Sequence, residues 1–176
     1  MRAARILAQL YILPVLLATA ACASAPPAEK QGLALTGRVV DRADLLTPDQ
    51  EKLLTAKLAA LEAHEGAQFA VATTPSLQGE TIEAYSLKLA RAWGLGSKAR
   101  NDGLMLLIAP NERRVRIEVG TGLEKTLTND LCAQIIRDDI TPRFKTGAMF
   151  DGINAGVDAL ITALEARGMP AKAKAA

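Results

Sequence analysis

Two acidic residues of this sequence lie where a β-hairpin would bring them together, and they are the side chains best placed for chemistry. Asp102 stands at the start of one predicted strand, within the turn sequence 101–103, and Glu124 follows the glycine-rich end of the next strand at 120–122. Antiparallel pairing brings the start of the first strand and the end of the second to the same edge of the sheet. We therefore expect Asp102 and Glu124 to be neighbours.

Three further acidic residues extend this cluster into a predicted metal site. Asp130, beside Asn129, lies at a predicted helix start that can reach the same edge, whereas Asp41 and Asp44 would join it only if the first strand ends there. A cluster that is rich in oxygen and contains no histidine suits a hard cation such as Ca²⁺ or Mg²⁺. The predicted metal ligands are therefore Asp41, Asp44, Asp102, Glu124 and Asp130.

Each of these residues also has an ordinary structural interpretation. The Asn-Asp-Gly sequence at 101–103 is common turn chemistry, and residues 128–130 are typical of a helix start. Glu124 and Asp44 fit solvated loop charges equally well, because acidic side chains usually remain exposed. The sequence leaves both interpretations of the cluster open.

Other catalytic and metal-binding arrangements lack their residues. His64 is the only histidine and falls near a predicted helix end, and no Gly-x-Ser-x-Gly segment is present, so a Ser-His-Asp triad is not expected. Cys22 and Cys132 are the only cysteines, which excludes a disulfide framework and a Cys-His zinc cluster. Cys132 lies one helical turn from predicted core isoleucines and is expected to be a buried or partly buried thiol. The glycines at 120–122 lack the third glycine of a dinucleotide-binding fingerprint.

Alternating strands and helices must position the acidic cluster. Four strands are predicted, over 38–41, 68–74, 103–109 and 114–119. Helices are predicted to begin at Thr47, which forms a capping box with Gln50, and near Thr81. Apolar spacing predicts two more helices, over 131–140 and 153–164. The order βαβαββαα predicts an α/β fold, a three-layer α/β/α sandwich with a mixed sheet of about four strands.

The first residues predict an exported protein. Residues 1–21 combine a cationic start with a short apolar run, which is typical of a signal peptide. Cys22 follows at the position that is lipidated in bacterial lipoproteins, and the alternative is a plain leader that is removed. Residues 22–36 are predicted to be a flexible linker, 37–168 a single domain and 169–176 a disordered tail. The predicted location is the periplasm or cell envelope, either free or held to the membrane through a lipid on Cys22.

The charge balance argues against a nucleic-acid partner. The chain of 176 residues is 49% hydrophobic and contains 21 Lys and Arg against 19 Asp and Glu. Both excess cations, Arg2 and Arg5, fall within the predicted signal peptide, so the remaining 19 cations equal the 19 anions. A neutral domain lacks the broad cationic field that nucleic acids attract.

Six short segments, taken in order and with their spacing, carry a family resemblance. They are VDRADLL at 40–46, WGLG at 93–96, NDGL at 101–104, RIEVGTGLE at 116–124, PRF at 142–144 and GI at 152–153. Together they resemble the TPM domain family, which includes exported bacterial and thylakoid-lumen proteins. The resemblance implies an α/β/α sandwich and an acidic edge that binds divalent metal in some members.

The match to the family's acidic positions is partial. Asp41, Asp102 and Glu124 stand at positions that are acidic in the family. Three other residues depart from the family pattern, where Gly, Tyr and Asp are usual: Asp44, Thr121 and Asn129.

The resemblance also implies two functions. Acid phosphatase activity is attributed to plant members, and other members are linked to the assembly or repair of membrane complexes. The first expectation is an exported or membrane-tethered domain that binds a divalent cation and serves as an accessory factor for an envelope or membrane protein. The alternative is a metal-assisted acid phosphatase that hydrolyses phosphomonoesters, with Asp102 or Glu124 as the base.

Overall fold

The computed structural model describes residues 33–166. The predicted signal peptide at 1–21, the predicted lipidation site Cys22 and the predicted tail at 169–176 lie outside the described residues. None of the helices in the described part has the length and apolar content that crossing a membrane requires.

A four-stranded mixed sheet forms the centre of the domain. Its strands are β1 (Val39–Asp41), β2 (Gln68–Thr73), β3 (Gly103–Ala109) and β4 (Arg114–Val119), and they lie in the order β1-β2-β3-β4. β1 pairs with β2 and β2 pairs with β3 in parallel, because a helix returns the chain between them, whereas the short turn between β3 and β4 makes that pair antiparallel. The predicted mixed sheet is confirmed.

Helices cover both faces of this sheet. They are α1 (Pro48–Glu65), α2 (Ile82–Trp93), α3 (Asn129–Ile135), α4 (Thr141–Lys145) and α5 (Met149–Glu165), with a π-helical segment at Ile136–Ile140 between α3 and α4. Alternate residues of β3 face opposite layers: Leu104 and Leu106 pack with α1, α3 and α5, whereas Met105 and Leu107 pack with α2. Since all of β3 is buried, the predicted three-layer sandwich is confirmed.

Local signals set the boundaries of the first two helices. The Thr47 hydroxyl accepts a hydrogen bond from the Gln50 backbone N–H, and the Gln50 side chain accepts one from the Thr47 N–H at 2.8 Å. This reciprocal pair is the predicted capping box. Gly66 ends α1 with a φ of 78°, a left-handed conformation that favours glycine. Thr81 caps α2 as predicted.

The helix predicted over 131–140 differs from the observed structure. It is divided into α3, the π-helical segment and α4. Ile135 and Ile140 are both buried although they are five residues apart, a spacing that an α-helix of 3.6 residues per turn does not keep on one face. The wider turn of a π-helix, with its i to i+5 hydrogen bonds, returns Ile140 to the core.

The described start of the chain contacts the domain. Leu33, which the sequence assigned to the linker, packs against the cluster under α2, and its carbonyl accepts a 2.6 Å hydrogen bond from the Trp93 indole N–H. Leu33 is therefore held beside the last turn of α2.

Candidate functional site at the amino end of β3

Backbone pairing joins the two segments that the sequence predicted to be neighbours. Gly120 donates a 2.8 Å hydrogen bond to the carbonyl of Gly103, and Gly122 donates one of 3.0 Å to the carbonyl of Asn101. The antiparallel register continues from Leu104 opposite Val119. We call residues 94–103 together with 120–124 the glycine rim.

Asp102 is the buried anchor of the glycine rim. Its side chain is 1% exposed. One carboxylate oxygen accepts a 2.7 Å hydrogen bond from the Ser97 N–H, and the other accepts a 2.5 Å hydrogen bond from Nε of Arg100. The Arg100 guanidinium also donates to the Gly66 carbonyl at 3.2 Å, which ties the rim to the end of α1. Donors within the chain therefore engage both oxygens of Asp102.

These donors decide the charge state of Asp102. Burial raises its pKa, but the Ser97 N–H and the Arg100 guanidinium outweigh the burial, so the pKa is lowered from its ordinary value. The carboxylate is ionised at neutral pH and is a weak base. This is the chemistry of a structural tie rather than of a group poised to exchange protons.

The glycines of the rim are required by main-chain contacts. A Cβ on Gly122 would overlap the carbonyl of Arg100, and a Cβ on Gly120 would overlap the carbonyl of Asn101. A Cβ on Gly96 would overlap the backbone nitrogen of Gly103, and a Cβ on Gly103 would overlap the carbonyl of Leu95. The rim is thus closed by backbone packed on backbone.

The other predicted ligands near this edge are solvent-exposed. Glu124, Asn129 and Asp130 are all exposed. Within residues 33–166, the side chains of Glu124 and Asp130 form neither a hydrogen bond nor an ion pair. Leu123, beside Glu124, is completely buried and holds this turn against the core.

Asp41 and Asp44 lie at the opposite end of the sheet, so their predicted membership of the cluster is wrong. Asp41 pairs with Thr73, and Thr73 pairs with Ile108, near the carboxyl end of β3. Asp102 precedes the amino end of the same strand. At about 3.3 Å per strand residue, the two levels are separated by roughly 20 Å. The physical reason is the parallel order of β1, β2 and β3, which puts all their carboxyl ends together.

Asp41 closes the loop that joins β1 to α1. One of its oxygens accepts a hydrogen bond from the Thr73 hydroxyl, and the other accepts one from the Leu46 N–H at 2.7 Å. The Thr73 hydroxyl in turn accepts a 2.9 Å hydrogen bond from the Ala43 N–H. Asp44 is exposed and adopts a φ of 50°, a conformation that glycine tolerates best.

The donor set does not fit the five-ligand cation site. Among residues 33–166, no group of three or more His, Cys, Asp or Glu side chains is placed to hold a metal ion. The most buried candidate, Asp102, already has the Arg100 guanidinium as its counter-charge. A bound Ca²⁺ or Mg²⁺ stays a prediction, but the ligand set proposed for it does not form.

A cleft beside the glycine rim contains side chains that the sequence interpretation missed. It has a volume of about 350 Å³ and lies between α2 and the ends of β3 and β4. Leu87, Ala90 and Leu95 supply apolar lining, and the polar lining includes Arg91 and Glu118. In β4, Val115, Ile117 and Val119 alternate with charged residues, a pattern that favours an outer, solvated face for Glu118. That face is covered by α2, which no local pattern revealed.

Glu118 is fixed by two donors. Its carboxylate accepts a 2.9 Å hydrogen bond from the hydroxyl of Ser86 on α2 and a 3.3 Å hydrogen bond from Nε of Arg116. Ser86 is completely buried, so a reactant in solution does not reach its hydroxyl. We call the cleft that is lined by Leu87, Ala90, Arg91, Leu95 and Glu118 the rim cleft.

Two other sequence predictions are confirmed. His64 lies in the last turn of α1, near the helix end as predicted, and it is exposed. Cys132 is a buried free thiol whose pKa is raised by burial, which makes it a poor nucleophile.

Comparison with known proteins identifies the family. The sequence profile of the TPM domain matches residues 39–163. The chain belongs to the TPM domain family. This match spans all four strands and ends within α5, so it includes both the glycine rim and the Asp41 loop. A search of curated proteins gave no significant match.

Solved structures of similar fold include one that is also similar in sequence. The N-terminal domain of a protein from P. gingivalis is 39% identical, with a TM-score of 0.70, over 75% of this chain and 84% of that one. The N-terminal domain of the cg2496 protein from Corynebacterium glutamicum is 14% identical, with a TM-score of 0.58, over 83% of this chain and 90% of that one. The BA42 protein from Bizionia argentinensis is 20% identical, with a TM-score of 0.57, over 73% and 86%. The last two are similar in fold alone.

Proposed function

We propose that this TPM domain is a non-catalytic accessory domain of the cell envelope, which holds a segment of a partner protein in the rim cleft. One observation carries the proposal. The buried carboxylate at this edge, Asp102, is closed off by Arg100 and Ser97 of its own chain, while an open cleft of mixed polarity lies beside it. The glycine rim is closed by main-chain contacts, whereas the rim cleft beside it is open to a partner.

The lining of the rim cleft suits a side chain of a partner. Leu87 is 39% exposed on the surface of α2 and lines the cleft, so it can contribute apolar contact area to a bound side chain. Arg91 and Glu118 add one charge of each sign, which can orient a polar group. The volume of about 350 Å³ falls at the lower end of the range for ligand sites.

The same geometry argues against the phosphatase alternative. A general base must reach the substrate and have a pKa near the working pH. The Asp102 side chain is 1% exposed and its pKa is lowered, so it is a weak base that a substrate does not reach. The serine–carboxylate pair at this edge, Ser86 with Glu118, has its hydroxyl completely buried. A binding function requires none of these groups to react.

The envelope location in this proposal rests on the sequence alone. Residues 1–21 favour export, and Cys22 supplies a site for a lipid anchor. Replacing Cys22 with Ser in the full-length chain should move the protein from the membrane fraction to the soluble fraction. An unchanged distribution would remove the lipid anchor from the proposal and leave the domain's binding role to be tested separately.

Site-specific photocrosslinking tests the binding role. A photoreactive residue at position 87 or 121, in the full-length chain expressed in its native envelope, should give a discrete adduct with one partner. Position 56, which is exposed on α1, provides the matched control. Arg91→Glu should weaken the adduct formed from position 87. Equal adducts from all three positions, or none from 87 and 121, would contradict the proposal.

An activity assay tests the alternative directly. The purified chain should not hydrolyse an aryl phosphate faster than its Asp102→Asn variant or its Glu124→Gln variant, with or without millimolar Ca²⁺ or Mg²⁺. Turnover that depends on Asp102 or on Glu124 would overturn the non-catalytic assignment. Thermal unfolding of all three proteins shows that the comparison is made between folded chains.

A further inference from the structure

A second concave surface lies at the end of the sheet opposite the glycine rim. It occupies about 590 Å³ between the β3–β4 turn, α4 and the start of α5. Val115, Phe144 and Met149 line it, and each is only partly buried. We call this surface the basic groove. Its apolar side chains remain partly exposed to water. An apolar side chain of a partner would remove that apolar surface from water, which is favourable.

Three cations surround the basic groove. Arg113, Arg114 and Lys145 line it and are exposed. Within residues 33–166, their side chains form neither a hydrogen bond nor an ion pair. Four other cations of the domain, Arg38, Lys57, Arg100 and Arg116, pair with acidic side chains.

Two acidic residues close in sequence to the groove have partners of their own, whereas Asp139 and Asp151 do not belong to its lining. Glu112, in the β3–β4 turn, accepts a 2.8 Å hydrogen bond from the Leu77 N–H. Asp138, before α4, pairs with Arg137 at 2.8 Å. The lining of the groove includes no Asp or Glu. The lining of the groove therefore has three cationic side chains and no anionic one.

We propose that the basic groove binds a short acidic segment of another protein, in which one apolar side chain lies beside two or more carboxylates. The apolar residue would pack on Phe144 and Met149, and the carboxylates would pair with Arg113, Arg114 and Lys145. Arginine favours carboxylates because its planar fork can donate two parallel hydrogen bonds. This site lies at the other end of the sheet from the rim cleft, so it would give the domain a second contact.

The charge and shape favour a peptide over an anionic membrane. Three cations fall below the clusters of roughly four to eight that typically bind acidic lipid surfaces. They also surround a concavity, which a side chain can enter and a flat bilayer cannot fill. The chain after residue 21 has 19 cations and 19 anions, so it has no net charge that would draw the whole domain to a membrane.

Peptide selection tests the proposal without a known partner. A random displayed peptide library, selected on the purified full-length chain, should enrich sequences with Asp or Glu flanking Leu, Ile or Phe. The best synthetic peptide should lose about tenfold in affinity against Arg114→Glu and against Lys145→Glu. Its affinity should also fall with added salt. Lys98→Glu makes the same charge change on an exposed residue at the other end of the sheet and should leave binding unchanged.

Two outcomes would overturn the proposal. One is a selection without acidic enrichment, or equal losses from Lys98→Glu and Arg114→Glu. The other is binding to phosphatidylglycerol vesicles that requires Arg113, Arg114 and Lys145, with no peptide binding, which would assign the surface to a membrane. Phe144→Ala separates the apolar contribution, because it should weaken the peptide while leaving the salt dependence intact. Melting curves of each variant establish that the fold is retained.

Discussion

Each end of the sheet has an aspartate whose two oxygens accept hydrogen bonds from the chain, but the two aspartates differ in burial and in the charge of their donors. At the carboxyl end, Asp41 accepts hydrogen bonds from a hydroxyl and a backbone N–H, both uncharged donors. At the amino end, Asp102 is more deeply buried and accepts from a backbone N–H and from the charged Arg100. The charge of Arg100 adds an ion pair to the hydrogen bonds of Asp102, and Asp41 has no ion pair among the described residues.

The surroundings of the two aspartates differ as well. Asp102 lies among glycines that have no room for a side chain, whereas the Asp41 loop accommodates Asp44 in a left-handed conformation. The amino end is therefore closed by main-chain contacts. The carboxyl end is held by side-chain hydrogen bonds, which leave its loop room to adjust. Acidic residues that stand out in a sequence can thus serve loop architecture at both ends without forming a shared site.

The largest expected effect comes from a methyl group in the glycine rim. Gly122→Ala would place its Cβ on the carbonyl of Arg100, so we expect it to lower the free energy of unfolding by about 3 kcal/mol or more. Gly79→Ala is the control: its φ is 81° and no atom lies within 4 Å of the added Cβ, so only conformational strain of about 1 kcal/mol is expected. Urea unfolding measures both. Equal losses would show that the rim is not sterically closed.

The next effect compares the two aspartates directly. Asp102→Asn removes the charge that faces Arg100 and is expected to cost about 2 kcal/mol, whereas Asp41→Asn affects only hydrogen bonds from uncharged donors and is expected to cost about 1 kcal/mol. The same unfolding measurement applies. A larger loss at Asp41 would reverse the comparison drawn here.

Acid should reduce the difference between the two ends. The pKa of Asp102 in the folded chain is lowered from its ordinary value of 3.8. Its stabilising contribution is therefore fully present above about pH 5 and is lost as the pH falls below 4 towards the folded pKa. Unfolding curves between pH 6 and pH 2.5 should show a smaller acid loss for Asp102→Asn than for the unmodified chain. Parallel curves would contradict the lowered pKa.

The smallest expected effect is that of divalent cations. The donor set at the glycine rim does not assemble a cation site, so millimolar Ca²⁺ or Mg²⁺ should leave the melting temperature unchanged. Glu124→Gln should behave like the unmodified chain, since Glu124 is exposed. A rise in melting temperature that Glu124→Gln or Asp102→Asn abolishes would restore the metal site predicted from the sequence.

Much of the fold follows from local signals in the sequence. The Thr47 capping box, the glycine after α1 and the apolar run of β3 each act over a few residues, and the structure confirms all three. The meeting of 101–103 with 120–122 follows from a hairpin, which is also a local device.

The errors in the predicted site came from relations between distant segments. The position of Asp41 depends on β1 and β3 being parallel, and the helices predicted between the strands already favoured that arrangement. The pairing of Arg100 with Asp102 had no such signal, because it depends on how a loop folds against the end of α1. The covering of Glu118 by α2 likewise depends on packing between layers.

The backbone contacts of the glycine rim have a consequence for how this family can diverge. Side chains at this edge, such as those of Glu124, Asn129 and Thr121, are exposed and can be exchanged without disturbing the chain path. The glycines at 96, 103, 120 and 122 cannot accept even one additional carbon unless the loops separate. Homologues with unrelated ligands should therefore retain these four glycines, and their invariance in an alignment would record a folding constraint rather than a shared activity.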